Sequence, residues 1–369
     1  MDERVFRAKI GQPIPIWDGN HRLPIDGNVS SACADDGTVF SINSIFMDVS
    51  DQPFSSRQWM VAAVLMFAFG ATALLFLALL PFLIGRFFED VRNNSLWILF
   101  NGVFASGFGF FVFQFGRDEF FSLTRRTIRF HRKDQKIFLI RRRRFFSKRG
   151  DGDVCWEIPW DNRVVFCVHR GENMIVDFYH IRGYEVDEVG NVIRAFSIGR
   201  CWTGVEELPL LLAQWNFYCT YMAEGPQALP SPMLYLSEKE NATECFLHSM
   251  YDCGRNRSAA YRIVHMPLFL ALTLFRMLSL ATCRDPVWPE NVERRCYWTG
   301  TDTWAQPIGR TPIGWAQTTY ARNKNEYPTE PRKQIEGWTG ANETDNARLW
   351  AADKSPLNYE LLYPAEVCQ

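Results

Sequence analysis

At 369 residues the chain is long enough for more than one domain, and its 40 basic and 41 acidic residues nearly cancel. Its ten cysteines are scattered singly from Cys33 to Cys368, which excludes a C-x-x-C redox pair and a Cys/His cluster at zinc spacing. In a reducing cytoplasm such residues are small buried apolar side chains rather than disulfides.

Residues 1–37 are rich in Pro, Gly, Asp and Asn, and the run from Gln12 through Pro13, Ile14 and Pro15 reads as an extended, loosely ordered arm. The charged start has no apolar core of its own, so the first apolar run must act as the targeting signal. Residues 38–51 read as one strand, with Val39, Ser41, Asn43 and Ile45 alternating against Phe40, Ile42, Ser44 and Phe46. Nothing nearby can pair with it, so it is expected to join a sheet formed later in the chain.

Two uncharged apolar runs follow. Residues 59–85 hold no ionisable side chain, and about 27 residues rising ~1.5 Å each reach about 40 Å, more than the ~30 Å hydrocarbon layer. Residues 96–116 are equally free of charge, and a polar turn with Arg86, Glu89, Asp90 and Arg92 separates the two runs. The reading is a transmembrane helical hairpin over 57–116. Gly102 with Ser106 and Ala105 with Gly109 place small residues four apart, for packing the two spans together or two copies of the chain. The spans carry no charge, which argues against an ion path. Basic residues crowd the segment after the second span, among them Arg117, Arg125, Arg126, Arg129, Arg132 and Lys133. By the positive-inside rule that segment, and with it both termini, is cytoplasmic.

Residues 120–226 break into short strands. A hairpin at 127–131 and 136–140 is followed by strands at 154–160, 163–169, 173–186 and 192–199, with Gly171, Gly190 and Asn191 in turns. Thr203 and Glu206 form a capping box for a helix over 205–222, whose Leu208, Leu211, Leu212, Trp215 and Tyr218 fall at helical spacing. The fold class is therefore an α+β membrane protein: a helical hairpin plus a cytoplasmic antiparallel meander closed by a helix, in pleckstrin-homology-like outline. Residues 237–295 are helical, starting with a cap at Ser237 and Glu240 and a helix to about Cys253. Residues 263–282 are apolar but carry His265 and Arg276, which leaves a third span open beside a packed or interfacial helix. Residues 296–369 form a polar tail with Trp298, Trp304, Trp315, Trp338 and Trp350 at no fixed period.

Several stretches carry a family likeness: 43–51 before the hairpin, 128–132 after it, 156–160 in the sheet, 221–226 at the helix end and 286–289 beyond. Over roughly residues 38–295 the chain resembles an uncharacterised bacterial family of double-spanning membrane proteins, a domain of unknown function often encoded among type VI secretion and toxin genes of Gram-negative proteobacteria. It departs at His131, where the family often shows Asn. The resemblance implies an inner-membrane protein working beside a secreted toxin, as immunity protein or accessory factor.

No H-E-x-x-H, P-loop or G-x-S-x-G motif is present. His169 and His180 can face each other across adjacent strands, yet a half-buried structural histidine is the default. Asp151, Asp153 and Asp161 faintly outline a cation loop, though Gly-Asp-Gly-Asp is more often a turn. The sharpest soluble feature is the basic run Arg141, Arg142, Arg143 and Arg144 with Lys148 and Arg149, flanking Phe145 and Phe146. It fits anionic lipid headgroups or an acidic partner, or it only enforces topology. Nucleic acid is not expected, and no cofactor or metal site is read. The expected function is non-enzymatic binding of a protein partner such as a toxin. The alternatives are a lipid-binding adaptor using 141–149, and a membrane-bound enzyme whose site would gather His169, His180, Asp177 or Cys167.

Overall fold

The computed structural model describes residues 10–30, 32–84, 91–141, 153–172, 177–204, 207–230, 232, 234–254, 258–297, 302–309, 311–324 and 333–334. In chain order, α1 (Ile16–Asn20), β1 (Arg22–Leu23) and β2 (Ala32–Cys33) lead to β3 (Val39–Ile42) and β4 (Phe46–Val49). Two long helices follow, α2 (Gln52–Leu83) and α3 (Val91–Glu119), then β5 (Ile128–His131), β6 (Lys136–Arg141) and β7 (Val154–Pro159). After them come β8 (Val164–Glu172), β9 (Asp177–Val186), β10 (Val192–Thr203) and α4 (Leu208–Ala223). The remaining helices used below are α5 (Ala242–Gly254), α6 (Ala259–Val264) and α7 (Met266–Thr282). The chain divides into two compact units, one of residues 1–56, 125–244 and 286–369, the other of 57–124 and 245–285.

The first unit holds a five-stranded sheet, β3-β4-β5-β6-β7, and a four-stranded sheet, β1-β8-β9-β10. All ladders within them are antiparallel. The sequence reads one continuous strand over 38–51, but the chain folds back in the middle of it. Asn43 Oδ1 accepts the backbone N–H groups of Ile45 and Phe46, both at 2.8 Å, and this side-chain turn makes two strands of one. β4 then pairs with β5, Phe46 opposite His131 and Val49 opposite Ile128, so both long helices lie in the chain between two neighbouring strands of one sheet.

Alternation drives Phe130, Leu139 and Ile158 of one sheet and Phe166, Ile181 and Phe196 of the other into a common core with Leu211, Trp215 and Tyr218 of α4. Trp215 lies 4.8 Å from the Phe166 ring, and its indole donates to the Pro24 carbonyl at 2.8 Å. Val205 and Glu206, where the capping box and helix start are expected, lie outside the described residues; α4 is described from Leu208, with Pro209 in its first turn, where a missing N–H is harmless. The carboxylate that accepts the Thr203 N–H, at 2.8 Å, belongs to Glu207. Gly183 permits a close approach in the second sheet: a Cβ there would stand 2.3 Å from Phe196 Cζ.

In the second unit α2 and α3, of 32 and 29 residues, are each long and apolar enough to cross a membrane. Their outer side chains stand free: Phe69 is 77% exposed and Phe110 70%. Phe67 packs between Phe108 and Phe111, with ring centroids 5.1 and 4.1 Å away. The close helix approach uses Gly70 under Phe108 and Gly116 under Val64, whereas Gly102 and Gly109 have open space where a Cβ would stand. Of the small residues spaced four apart, only Ala105 is buried within the chain. α5 is capped by Asn241, whose Oδ1 accepts the Glu244 N–H at 2.9 Å, and not by Ser237.

Candidate functional site

On β8 and β9, Phe166, Val168, Tyr179 and Ile181 face the main core, which leaves Cys167, His169, His180, Arg182 and Tyr184 on the other face. That face is closed by the N-terminal segment, which is no bare extended arm. β1 pairs with β8, the Trp17 indole donates to the Val168 carbonyl at 3.2 Å, and the Val168 N–H donates to the His21 carbonyl at 3.0 Å. α1 thereby sets Asp18 over the sheet, 1% exposed.

His169 Nδ1 lies 2.9 Å from both carboxylate oxygens of Asp18, and the Tyr184 hydroxyl donates to the same group at 2.5 Å. Arg182 Nη1 is 3.4 Å from the Tyr184 oxygen. His180 pairs opposite His169 in the ladder, and its two ring nitrogens are buried with no hydrogen-bond partner among the described residues. Burial lowers the pKa of His169 against the pull of Asp18, and burial with the nearby Arg182 charge lowers His180 well below its ordinary value. Both rings are neutral at pH 7, so His169 is assigned as donating its Nδ1–H to the carboxylate. Burial also raises the Cys167 thiol well above its usual range, which makes a thiolate nucleophile of it unfavourable.

An Asp–His pair is the orienting half of a nucleophilic triad, but here every member is buried, Tyr184 at 0% exposure. A substrate could reach the imidazole only if α1 left the sheet. The cluster works as a latch: one carboxylate takes hydrogen bonds from His169 and Tyr184 and fixes the N-terminal segment. Of the residues that an enzyme reading would gather, His169, His180 and Cys167 share this face, while Asp177 pairs with Glu172 farther along the hairpin. Among the described residues no group of three or more His, Cys, Asp or Glu could hold a metal ion. Sequence reasoning missed Asp18, Arg182 and Tyr184. The i, i+2, i+4 spacing of His180, Arg182 and Tyr184 is the one signal that was there to be read.

In the basic run only Arg141 is described; Arg142, Arg143, Arg144, Lys148 and Arg149 lie outside the described residues, as do Phe145, Phe146 and Asp151. Arg141 is turned back onto its own domain, 3.8 Å from Asp51 and 5.1 Å over the Trp156 ring, which Arg194 also covers at 5.6 Å. Among the described residues, Asp153 and Asp161 belong to no group that could hold a metal ion. Asp153 accepts the Val287 N–H at 2.9 Å, and Asp161 is held by Arg163 at 2.7 Å. All nine described cysteines are free thiols.

Residues 106–299, more than half of the chain, match the model of a family of unknown function (DUF6708). No curated protein and no solved structure matches.

Proposed function

The chain belongs to the DUF6708 family of unknown function, and on that footing we propose a membrane-anchored, non-enzymatic binding protein of the bacterial inner membrane. The observation that carries the reading is the pair of long apolar helices with outward aromatic side chains, inserted between β4 and β5. Such a surface left in water would cost about 25 cal/mol per Å², and lipid removes that cost. The density of Lys and Arg after residue 116 supports a cytoplasmic sheet-bearing unit. Two antiparallel sheets closed by α4 are compatible with a pleckstrin-homology-like fold, a scaffold that binds partners on its surface.

The partner we propose is a secreted toxin of a type VI system, with this chain as its immunity or accessory factor; the likeness to toxin-associated proteins supports that reading. The sheet-and-helix unit would cover the toxin while the two helices keep it at the membrane. Co-expression with the product of the neighbouring gene tests this. Restored growth and recovery of a complex are expected; no protection and no complex would refute it. A lipid-headgroup adaptor is the second reading, and it rests on Arg142, Arg143, Arg144, Lys148 and Arg149, since Arg141 already holds Trp156 and Asp51.

A further inference from the structure

α7 reverses the pattern of a helix lying on a wet surface. Its buried stripe carries Thr273, Arg276 and Ser279 beside Phe269 and Leu272, while Leu270 and Leu274 stand 55% and 53% exposed, with Leu268, Met277 and Leu278 exposed around them. A helix facing water shows its polar stripe and hides its apolar one. In hydrocarbon the order inverts, because polar groups must find protein partners there. These do: Thr273 donates to the Phe269 carbonyl at 2.6 Å, Arg276 to Gln58 Oε1 at 2.8 Å, and Ser279 to the Glu119 carbonyl at 2.6 Å.

Those partners also tie α7 to the ends of the two long helices. Gln58 and Trp59, at the start of α2, both donate to Asp252 of α5, at 2.9 and 3.0 Å. At the exit of α3, the Phe121 N–H donates to Thr282 at 3.3 Å and the Thr124 N–H to the Arg284 carbonyl at 2.8 Å. Arg57 joins the two ends through the Leu123 carbonyl at 2.7 Å. The chain between Asp252 and Arg284 therefore leaves and returns at the same end of the hairpin. A segment that does so makes no net crossing. With 17 residues, α7 is also only about 26 Å long against a ~30 Å core.

We propose that α7 is a third membrane element, embedded in the leaflet at the end of the hairpin where Gln58 and Glu119 lie, with Leu270 and Leu274 against acyl chains and Arg276 held inside the protein. This rests on the membrane anchoring of α2 and α3 proposed above. The unit would then grip one leaflet with more area than two spans alone provide, through contacts that need no charged lipid.

The test places a photo-crosslinking amino acid singly at Leu270, Leu274, Phe69 or Val189 in the full chain and irradiates native membranes. Phe69 on α2 is the reference for lipid. Val189, 84% exposed in the β9–β10 turn, is the reference for water. Phospholipid adducts at Leu270 and Leu274, in yield comparable to Phe69 and absent at Val189, are expected. Adducts at Phe69 but none at Leu270 and Leu274 overturn the proposal and leave the anchor standing. No adduct even at Phe69 overturns both.

Discussion

His169 and His180 face each other across the β8–β9 ladder with ring centroids 5.0 Å apart, beneath the carboxylate of Asp18. Two imidazoles this close, with Arg182 beside them, cannot both be protonated without repulsion, and burial already holds each below its ordinary pKa.

A pH dependence follows with a defined sign. A histidine with a folded pKa below 6.5 binds its proton more readily unfolded, so its stabilising effect is complete above pH 6.5 and declines as pH falls below it. Asp35 works the other way, because burial raises its carboxyl to about 6, so its share of stability falls as pH rises between 3.8 and about 6. The difference between wild type and His180→Phe isolates the histidine. Thermal unfolding in detergent should show a smaller loss of stability in the variant than in wild type between about pH 7.5 and pH 5.

Removing the latch should free the N-terminal segment. Asp18→Ala strands the Tyr184 hydroxyl and the His169 N–H in a buried site, for a loss of about 2–3 kcal/mol. Limited proteolysis should then cut within residues 10–30 while β8 to α4 resist.

Gly183→Ala places a Cβ 2.3 Å from the Phe196 ring. Overpacking should cost about 1–3 kcal/mol, and Phe196→Leu in the same chain should recover part of it. Unfolding measured on the two single variants and the double variant checks the coupling.

Arg129 and Asp48 form a buried two-point pair across β4 and β5, both bonds at 2.7 Å, with the guanidinium over the rings of Phe46 and Trp288 at 4.0 and 4.5 Å. Asp48→Ala leaves that charge unpaired and should cost about 3–5 kcal/mol. Arg129→Lys keeps the charge but loses the fork, and should not restore wild-type stability in a chemical-denaturation measurement.

The sequence reveals what depends on local repetition. Long uncharged runs marked α2 and α3, and period-two alternation marked the strands, so the nearness of His169 and His180 could be read from one hairpin. Features set by a single side chain at a turn or by contact at long range could not. The alternation of 38–51 runs unbroken through Asn43, and only its side-chain oxygen, turned onto Ile45 and Phe46, stops the strand. Asp18 meets His169 across 151 positions, from a segment whose Pro and Gly content pointed to looseness. Arg129 reads as a topology signal because its charge is visible in the sequence and its burial against Asp48 is not.

Reporter fusions after Arg200 test the central claim most directly, using one enzyme active only outside the cytosol and one fluorescent protein that folds only inside it. The account predicts a fluorescent, enzymatically silent pair that stays with the membrane through an alkaline wash. An active external enzyme at that position, or release of either fusion by the wash, would contradict it.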